Sequence, residues 1–173
     1  TYYFPAREGG YPGSPPKAGS IQSRASPWPP VKMTWYDGGK KPPDPPELEG
    51  RQLGSNGILF VGDKGKILCP SHAGAPRIIP ESKMKEYQRP AKTLPRVEGG
   101  IHGNWVQACK QNDPKAACSG FWYSGPFTEA LLVGNLAVRL GRRVEWDSEK
   151  MKSPNAPEAD NYITKFYRVG WTL

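Results

Sequence analysis

The sequence lacks the glycine spacing of a dinucleotide-binding loop. It contains 20 glycines, yet no two of them are separated by a single residue, so the pattern G-x-G-x-x-G does not occur. The phosphate-binding pattern G-x-x-x-x-G-K-[ST] is missing too. Because such glycines allow the backbone to approach a pyrophosphate closely, the chain by itself has no recognisable nucleotide cradle.

Long apolar runs and cysteines are also scarce. No run approaches the length of a membrane-spanning helix, and no secretory signal is visible. The three cysteines, Cys69, Cys109 and Cys118, are an odd and sparse set, which argues against a disulfide framework, although a Cys109–Cys118 pair remains possible. Cys69 and His72 form the one closely spaced ligand pair, whereas zinc requires four ligands. We therefore predict no metal site, and we expect Cys109 to pack in the core.

Positive charge is in excess but is not concentrated. The chain has 24 Lys and Arg against 16 Asp and Glu, a formal net charge of +8. A nucleic-acid-binding domain gathers its basic residues on one face or element. Here the densest groups are only Lys40-Lys41 and Arg142-Arg143. A solvated basic surface is therefore favoured over a nucleic-acid partner, while an acidic substrate or partner stays open.

Turn-forming and aromatic residues are abundant. Gly and Pro number 20 each, which predicts long loops, in particular over residues 8–30 and 40–53. We expect the second of these loops to be extended and exposed to solvent. The six Trp and eight Tyr are many for 173 residues. Such side chains pack cores, and they also line sugar-binding sites and interfaces.

Period-two alternation and turn residues predict the strands. An aromatic-rich strand is expected over 1–7 and a half-buried strand over 31–37, where Val, Met and Trp alternate with Lys, Thr and Tyr. Segments 57–62 and 66–69 flank Asp-Lys-Gly and predict a β-hairpin. A further short strand is expected over 77–79.

Helical periodicity predicts two longer helices. Apolar residues recur at helical spacing over 100–111, which indicates an amphipathic helix. A second helix is expected over 126–140, with Ser124 as its N-cap and Gly141 just past its end. This helix is apolar nearly all round, so we expect it to be covered on most sides.

The remaining elements complete a strands-then-helices order. Residues 143–147 are expected to form a late strand, and a capping-box-like start at Asn155 predicts a short helix to about Phe166. This order favours an α+β fold: one open, mainly antiparallel sheet of at least four strands, with the helices packed on one face.

Five residues are candidates for the wall of a substrate cleft. Trp35, Tyr36 and Asp37 end a strand before two glycines, where an aspartate is a turn residue or an acceptor for sugar hydroxyls. His102 opens a helix and lies three residues before Trp105, so it either bonds locally or contacts a substrate hydroxyl.

Glu129 is an unusual carboxylate because it lies within the apolar second helix. The simpler interpretation is a carboxylate paired with an arginine, Arg139 or Arg143, or with helix-terminal amides. The functional interpretation is a buried carboxylate that faces a cleft.

The order of several segments resembles the C-terminal part of oxidoreductases of the glucose–fructose oxidoreductase/inositol dehydrogenase (Gfo/Idh/MocA) type. The resemblance covers roughly residues 30–173, and the opening strand fits it as well. Each segment is weak alone, but their shared order is specific. The segments are VKMTWYDGG, GSNGILFVGDKGKIL, KTLPR, GGIHGNWVQACK, ACSGFWYSGPFTEALLVGNLAVRLGRRVEWD and NAPEADNYITKFYRVGWTL.

The resemblance implies that residues 1–173 are the C-terminal substrate-binding and oligomerisation domain of a two-domain bacterial enzyme of the cytoplasm or periplasm. A separate Rossmann domain would hold NAD or NADP, so no cofactor is expected in this chain. The implied fold is like the C-terminal domain of dihydrodipicolinate reductase. The implied reaction is hydride transfer to or from a sugar or cyclitol. Homo-oligomers are implied to form through the sheet face.

The sequence departs from the family pattern where the chemistry would occur. The family's lysine, in an E-K-P motif, and its Asp/His pair have no counterpart here and would precede Thr1. No catalytic residue is therefore assigned, and the substrate-binding candidates are Trp35, Tyr36, Asp37, His102 and Trp105. Two alternatives stay open: a non-catalytic carbohydrate-binding or assembly module, and an NAD-dependent glycosidase of the same family.

Overall fold

The computed structural model describes residues 1–7, 28–92 and 96–171. These residues divide into two compact units: the first holds 1–6 and 29–92, and the second holds 96–171 with Arg7 and Trp28. The strands are β1 (Tyr2–Phe4), β2 (Val31–Met33), β3 (Gly57–Val61), β4 (Lys66–Pro70) and β5 (Arg77–Ile79). The helices are α1 (Glu81–Glu86), α2 (Gly100–Gln111), α3 (Phe121–Leu140) and α4 (Asp160–Ile163).

Strands β1 to β5 lie in the first unit and form two small antiparallel sheets. The β1–β2 pair aligns Tyr2 with Met33, and a second sheet has the order β3-β4-β5. The α+β class is thus confirmed. The expected single sheet of at least four strands is wrong for the described residues, since β1 and β2 are only three residues long and pair only with each other.

The predicted hairpin is confirmed, and it forms one wall of a small core. β3 and β4 pair in register, with Leu59 opposite Leu68, and Gly62 donates its N–H to the carbonyl of Gly65 across the turn (2.9 Å). Both leucines pack against a buried cluster. Its members are Leu48, Leu53 and Ile79.

Most of the segment 40–53 is exposed, as predicted, but the segment is not simply extended, and Pro45, Leu48 and Leu53 are buried. A 3₁₀ turn at Pro46–Leu48 places Leu48 in the core with 2% of its surface exposed. The Asp44 carboxylate accepts the backbone N–H of Leu53 (2.8 Å) and so fixes the second buried leucine. Proline here sets the entry of a turn, and the apolar residues after it drive the burial. The 8–27 part of the other predicted loop lies outside the described residues.

In the second unit α2 occupies the predicted residues, whereas α3 begins earlier than expected. It starts at Phe121, after Gly120, and Pro126 lies inside it. Ser124 is therefore not an N-cap: its Oγ donates to the carbonyl of Gly120 within the first turn (3.2 Å). The predicted end is confirmed, because Gly141 adopts φ 64° and donates its N–H to the carbonyl of Val138.

Residues 143–147 run alongside a side chain instead of a neighbouring strand. The Asn155 amide accepts the N–H of Glu145 (2.8 Å) and donates to the carbonyl of Arg143 (3.1 Å). Only Asp147 forms a backbone bridge, to Lys152. The strand prediction is therefore wrong. The helix expected up to Phe166 is reduced to a 3₁₀ turn at Pro157–Ala159 followed by the single turn of α4.

A second small core joins α3 to this C-terminal segment. Leu136, Ala156 and Ala159 are buried there, with Leu140, Val144, Trp146 and Ile163 packed around them. Leu136 is the buried residue of α3, while Phe121 and Val138 are 91% and 80% exposed. Within the described residues the expectation that α3 is covered on most sides is therefore wrong.

We expect Leu48→Ala to lower the free energy of unfolding of the first unit by about 2–4 kcal/mol, because it leaves a cavity beside Ile79 and Leu53. Val61→Ala is the matched control, since Val61 is 68% exposed and should change stability by less than about 0.5 kcal/mol. Urea unfolding measures both. Equal effects of the two substitutions would contradict a core centred on Leu48.

Candidate functional site

Three of the predicted site residues lie together just after β2. Trp35 is 60% exposed and Tyr36 is 44% exposed. Asp37 Oδ1 accepts the N–H of Gly38 (2.7 Å), and its carbonyl accepts the N–H of Lys40 (3.2 Å). The turn role of Asp37 is thus present, and it fixes a carboxylate in the residue that directly follows two exposed aromatic residues.

The other two predicted residues lie on the first two turns of α2, in the second unit. His102 is exposed, and Trp105 is 61% exposed one turn further along. The structure therefore divides the five predicted residues into two groups, Trp35-Tyr36-Asp37 in the first unit and His102-Trp105 in the second.

Trp105 lines a small groove of about 460 Å³ whose floor consists of small residues. The Asn104 side chain shapes this groove, because it donates to the carbonyl of Ala116 (3.0 Å) and accepts the N–H of Cys118 (2.8 Å). Cys109 lines the groove and is exposed, so the expectation that it packs in the core is wrong; Cys69 is the buried cysteine. The other lining residues are Ala108, Asn112, Asp113, Pro114, Ala117, Ser119, Gly120 and Phe121.

A larger groove of about 910 Å³ runs along α3, and we call it the α3 groove. One wall is a face of α3, and the other wall is the C-terminal segment from Trp146 to Ile163. Phe121 lines both this groove and the Trp105 groove. The remaining lining residues on α3 are Ser124, Gly125, Thr128, Glu129, Leu132, Val133, Asn135, Leu136 and Arg139; those on the opposite wall are Trp146, Met151, Asn161, Tyr162 and Ile163.

Glu129 holds the two walls together through one of its oxygens. Its Oε1 accepts the indole N–H of Trp146 (2.6 Å) and the hydroxyl of Ser148. No described residue donates a hydrogen bond to Oε2. The carboxylate is half-buried, and Glu129 lines the α3 groove. Glu129 thus offers one acceptor oxygen beyond its structural role.

The predicted arginine partners of Glu129 are not its partners among the described residues. The Arg139 guanidinium lies over the ring of Tyr162, 5.4 Å from its centroid, and Arg143 pairs with Glu145 (3.4 Å). Glu129 and Arg139 are ten residues apart on one helix, so their backbones lie about 15 Å apart along its axis. The groove therefore has an acceptor near its middle and a cation at its C-terminal end along α3.

The turn after Trp146 positions Ser148. Asp147 accepts the backbone N–H of Lys150 (3.0 Å) and pairs with the Lys150 ammonium (3.1 Å). The backbone N–H first, and then the ammonium, hold the pKa of Asp147 below its ordinary value of 3.8. The charged form of Asp147 is therefore favoured in the folded state, and this stabilisation is lost as the pH falls through the lowered pKa.

Sequence reasoning did not identify the α3 groove. The sequence marked Glu129 as an unusual carboxylate in an apolar helix, but nothing local indicates that Trp146 and Ser148 meet Glu129. These partners follow it by 17 and 19 residues.

The described residues contain no group of three or more His, Cys, Asp or Glu that could hold a metal ion. None of the described helices is both long enough and apolar enough to cross a membrane. No known protein family, curated protein or solved structure matches the chain.

We expect Lys150→Met to raise the pKa of Asp147 only part of the way to its ordinary value, because the backbone N–H of residue 150 remains as a donor. Lys152→Met is the control and should leave this pKa unchanged, since the Lys152 side chain does not pair with Asp147. Carboxyl-carbon NMR titration measures both. A complete return to the ordinary value in Lys150→Met would show that the ammonium alone lowers the pKa.

Proposed function

We propose that this chain is the substrate-side domain of an NAD(P)-dependent oxidoreductase that acts on a sugar or cyclitol by hydride transfer. The proposal is supported by the order of segments that resembles the Gfo/Idh/MocA enzymes. The nicotinamide cofactor would be bound by a Rossmann domain outside this chain, because the sequence has no glycine cradle of its own. The chain would be inactive without that partner.

The observation that carries the proposal is the exposure of Trp35 and Tyr36 immediately before Asp37, whose carboxylate is fixed by its turn. Exposed aromatic rings and a carboxylate in one short segment suit a ligand with both C–H faces and hydroxyls. In the second unit, Trp105 and the exposed His102 on the preceding turn offer an aromatic ring and a polar group. Each group would contact the substrate within its own unit.

The finer fold and the assembly are part of the same proposal. The domain would be similar to the C-terminal domain of dihydrodipicolinate reductase. The exposed faces of its two sheets would join copies of the protein into a homo-oligomer. Exposed apolar residues on the strands favour such a contact, among them Tyr3, Ile58 and Phe60.

A non-catalytic carbohydrate-binding module is the second candidate, since the same exposed rings would serve it. An NAD-dependent glycosidase would share the cofactor and the sugar but would cleave a glycosidic bond. If the full-length protein binds a nicotinamide cofactor, it is a dehydrogenase or a glycosidase and not the carbohydrate-binding module. Product analysis then separates oxidation from hydrolysis.

We expect the 173-residue chain to bind neither NAD nor NADP, because it lacks the loop that would hold the pyrophosphate. Calorimetry at about millimolar cofactor should show no heat of binding. A dissociation constant in the micromolar range would refute the proposal that a separate domain, and not this chain, binds the cofactor.

We expect myo-inositol or D-glucose to shift the indole N–H resonances of Trp35 and Trp105 in ¹H–¹⁵N spectra, with assignments from single Trp→Phe variants. Trp171 is the matched control, since it is 61% exposed but lies outside the proposed cleft wall. Trp35→Ala should weaken binding at that site about three- to tenfold through loss of ring contact. Equal shifts at all three indoles would indicate non-specific contact and count against the proposal.

A further inference from the structure

We infer that the α3 groove is a polyol-binding site in its own right, with Glu129 as its principal hydroxyl acceptor. None of the five proposed cleft residues lines this groove, so the site goes beyond the proposed function. Its volume of about 910 Å³ lies within the range of roughly 300–1,000 Å³ typical of small-molecule sites.

The exposed surface of the groove is mostly apolar, and polar side chains able to form hydrogen bonds are spread along both walls. This combination suits a ligand that has both C–H faces and several hydroxyls. An apolar ligand would leave these groups unpaired on desolvation, which is costly. The polar lining residues are Ser124, Thr128, Glu129, Asn135, Arg139, Asn161 and Tyr162, and the aromatic ones are Phe121, Trp146 and Tyr162.

The Glu129 carboxylate is already oriented for such a ligand. The indole of Trp146 and the hydroxyl of Ser148 both bond to Oε1, so the side chain is held in place before any ligand arrives. The second oxygen is left to accept a hydroxyl in a charge-assisted hydrogen bond, which is about twice as strong as a neutral one. Preorganisation of this kind removes part of the entropic cost of binding.

The C-terminal end of the groove supplies a donor. Arg139 lies over Tyr162, and its guanidinium forms no ion pair with a described residue. The backbones of Glu129 and Arg139 lie about 15 Å apart along the helix, so the two side chains serve different parts of the groove. Hydroxyls both donate and accept hydrogen bonds and can use the acceptors and the donors of the lining, whereas an organic ammonium can use only the acceptors.

The indole N–H of Trp146 provides a site-specific probe because it is bonded directly to Glu129. We expect myo-inositol or D-glucose to shift this resonance saturably in the 173-residue chain. Cyclohexanol and cyclohexylamine, which offer one hydroxyl and one ammonium on a similar ring, should shift it less at equal concentration.

Glu129→Gln tests the acceptor without removing the link between the walls, because the amide oxygen can still accept from Trp146 and Ser148. We expect it to raise the midpoint of the polyol titration about tenfold, as the charge-assisted bond is lost. Glu145→Gln makes the same chemical change outside the groove and should leave the midpoint within about twofold. Far-UV circular dichroism checks that both variants are folded.

The outcomes separate this site from the proposed function. Shifts at Trp35 and Trp105 without a shift at Trp146 would overturn the α3 site and leave the cleft proposal standing. A shift at Trp146 with no change of midpoint in Glu129→Gln, or a stronger response to cyclohexylamine than to the polyols, would also overturn it. A saturable Trp146 shift that Glu129→Gln weakens and Glu145→Gln does not would support it.

Discussion

The hydrogen bonds to Glu129 Oε1 are the constraint on which the second unit depends. They tie α3 to the segment that begins at Trp146 and, together with the small core around Leu136, hold the second wall of the α3 groove in place. The apolar contacts beneath are few, since Leu136, Ala156 and Ala159 are the buried residues of this cluster. A small core gains specificity from a polar contact with defined geometry, because apolar packing alone tolerates alternative arrangements.

Elsewhere in the same unit, side-chain amides connect segments by hydrogen bonds to the backbone. Asn155 satisfies the backbone of residues 143 and 145, and Asn104 holds the segment near Ala116 and Cys118 against α2. In each case one residue replaces backbone pairing that a strand or a longer helix would supply. The backbone groups remain satisfied, and the chain between them is free to turn sharply.

Local signals in the sequence were sufficient for the elements that depend on local interactions. The period of α2, the hairpin around Asp63-Lys64-Gly65 and the glycine at the end of α3 are each set within a few residues. The structural predictions failed where residues distant in the sequence determine the local conformation or the burial. Over 143–147 the backbone pairs with the Asn155 side chain instead of forming a strand. Leu48 is buried because it packs in a core to which β3 and β4 contribute Leu59 and Leu68. The roles of Trp35 and Trp105 stay predictions. The two partners of Glu129, Trp146 and Ser148, follow it by 17 and 19 residues, and no pattern of spacing indicates them.

The arrangement of the α3 groove suggests which residues set its specificity and which set its fold. Glu129 and Arg139 lie on one helix, so the spacing of their backbones is fixed by helical geometry. Trp146 donates a hydrogen bond to Glu129 and also lines the groove, so its replacement would affect folding as well as binding. Asn161 and Tyr162 line the groove but are exposed, whereas the neighbouring Ala159 is buried. Substitutions at 161 and 162 should therefore change which polyol is accepted while leaving the buried cluster intact, because the packing contacts beneath them come from Ala159 and Ile163.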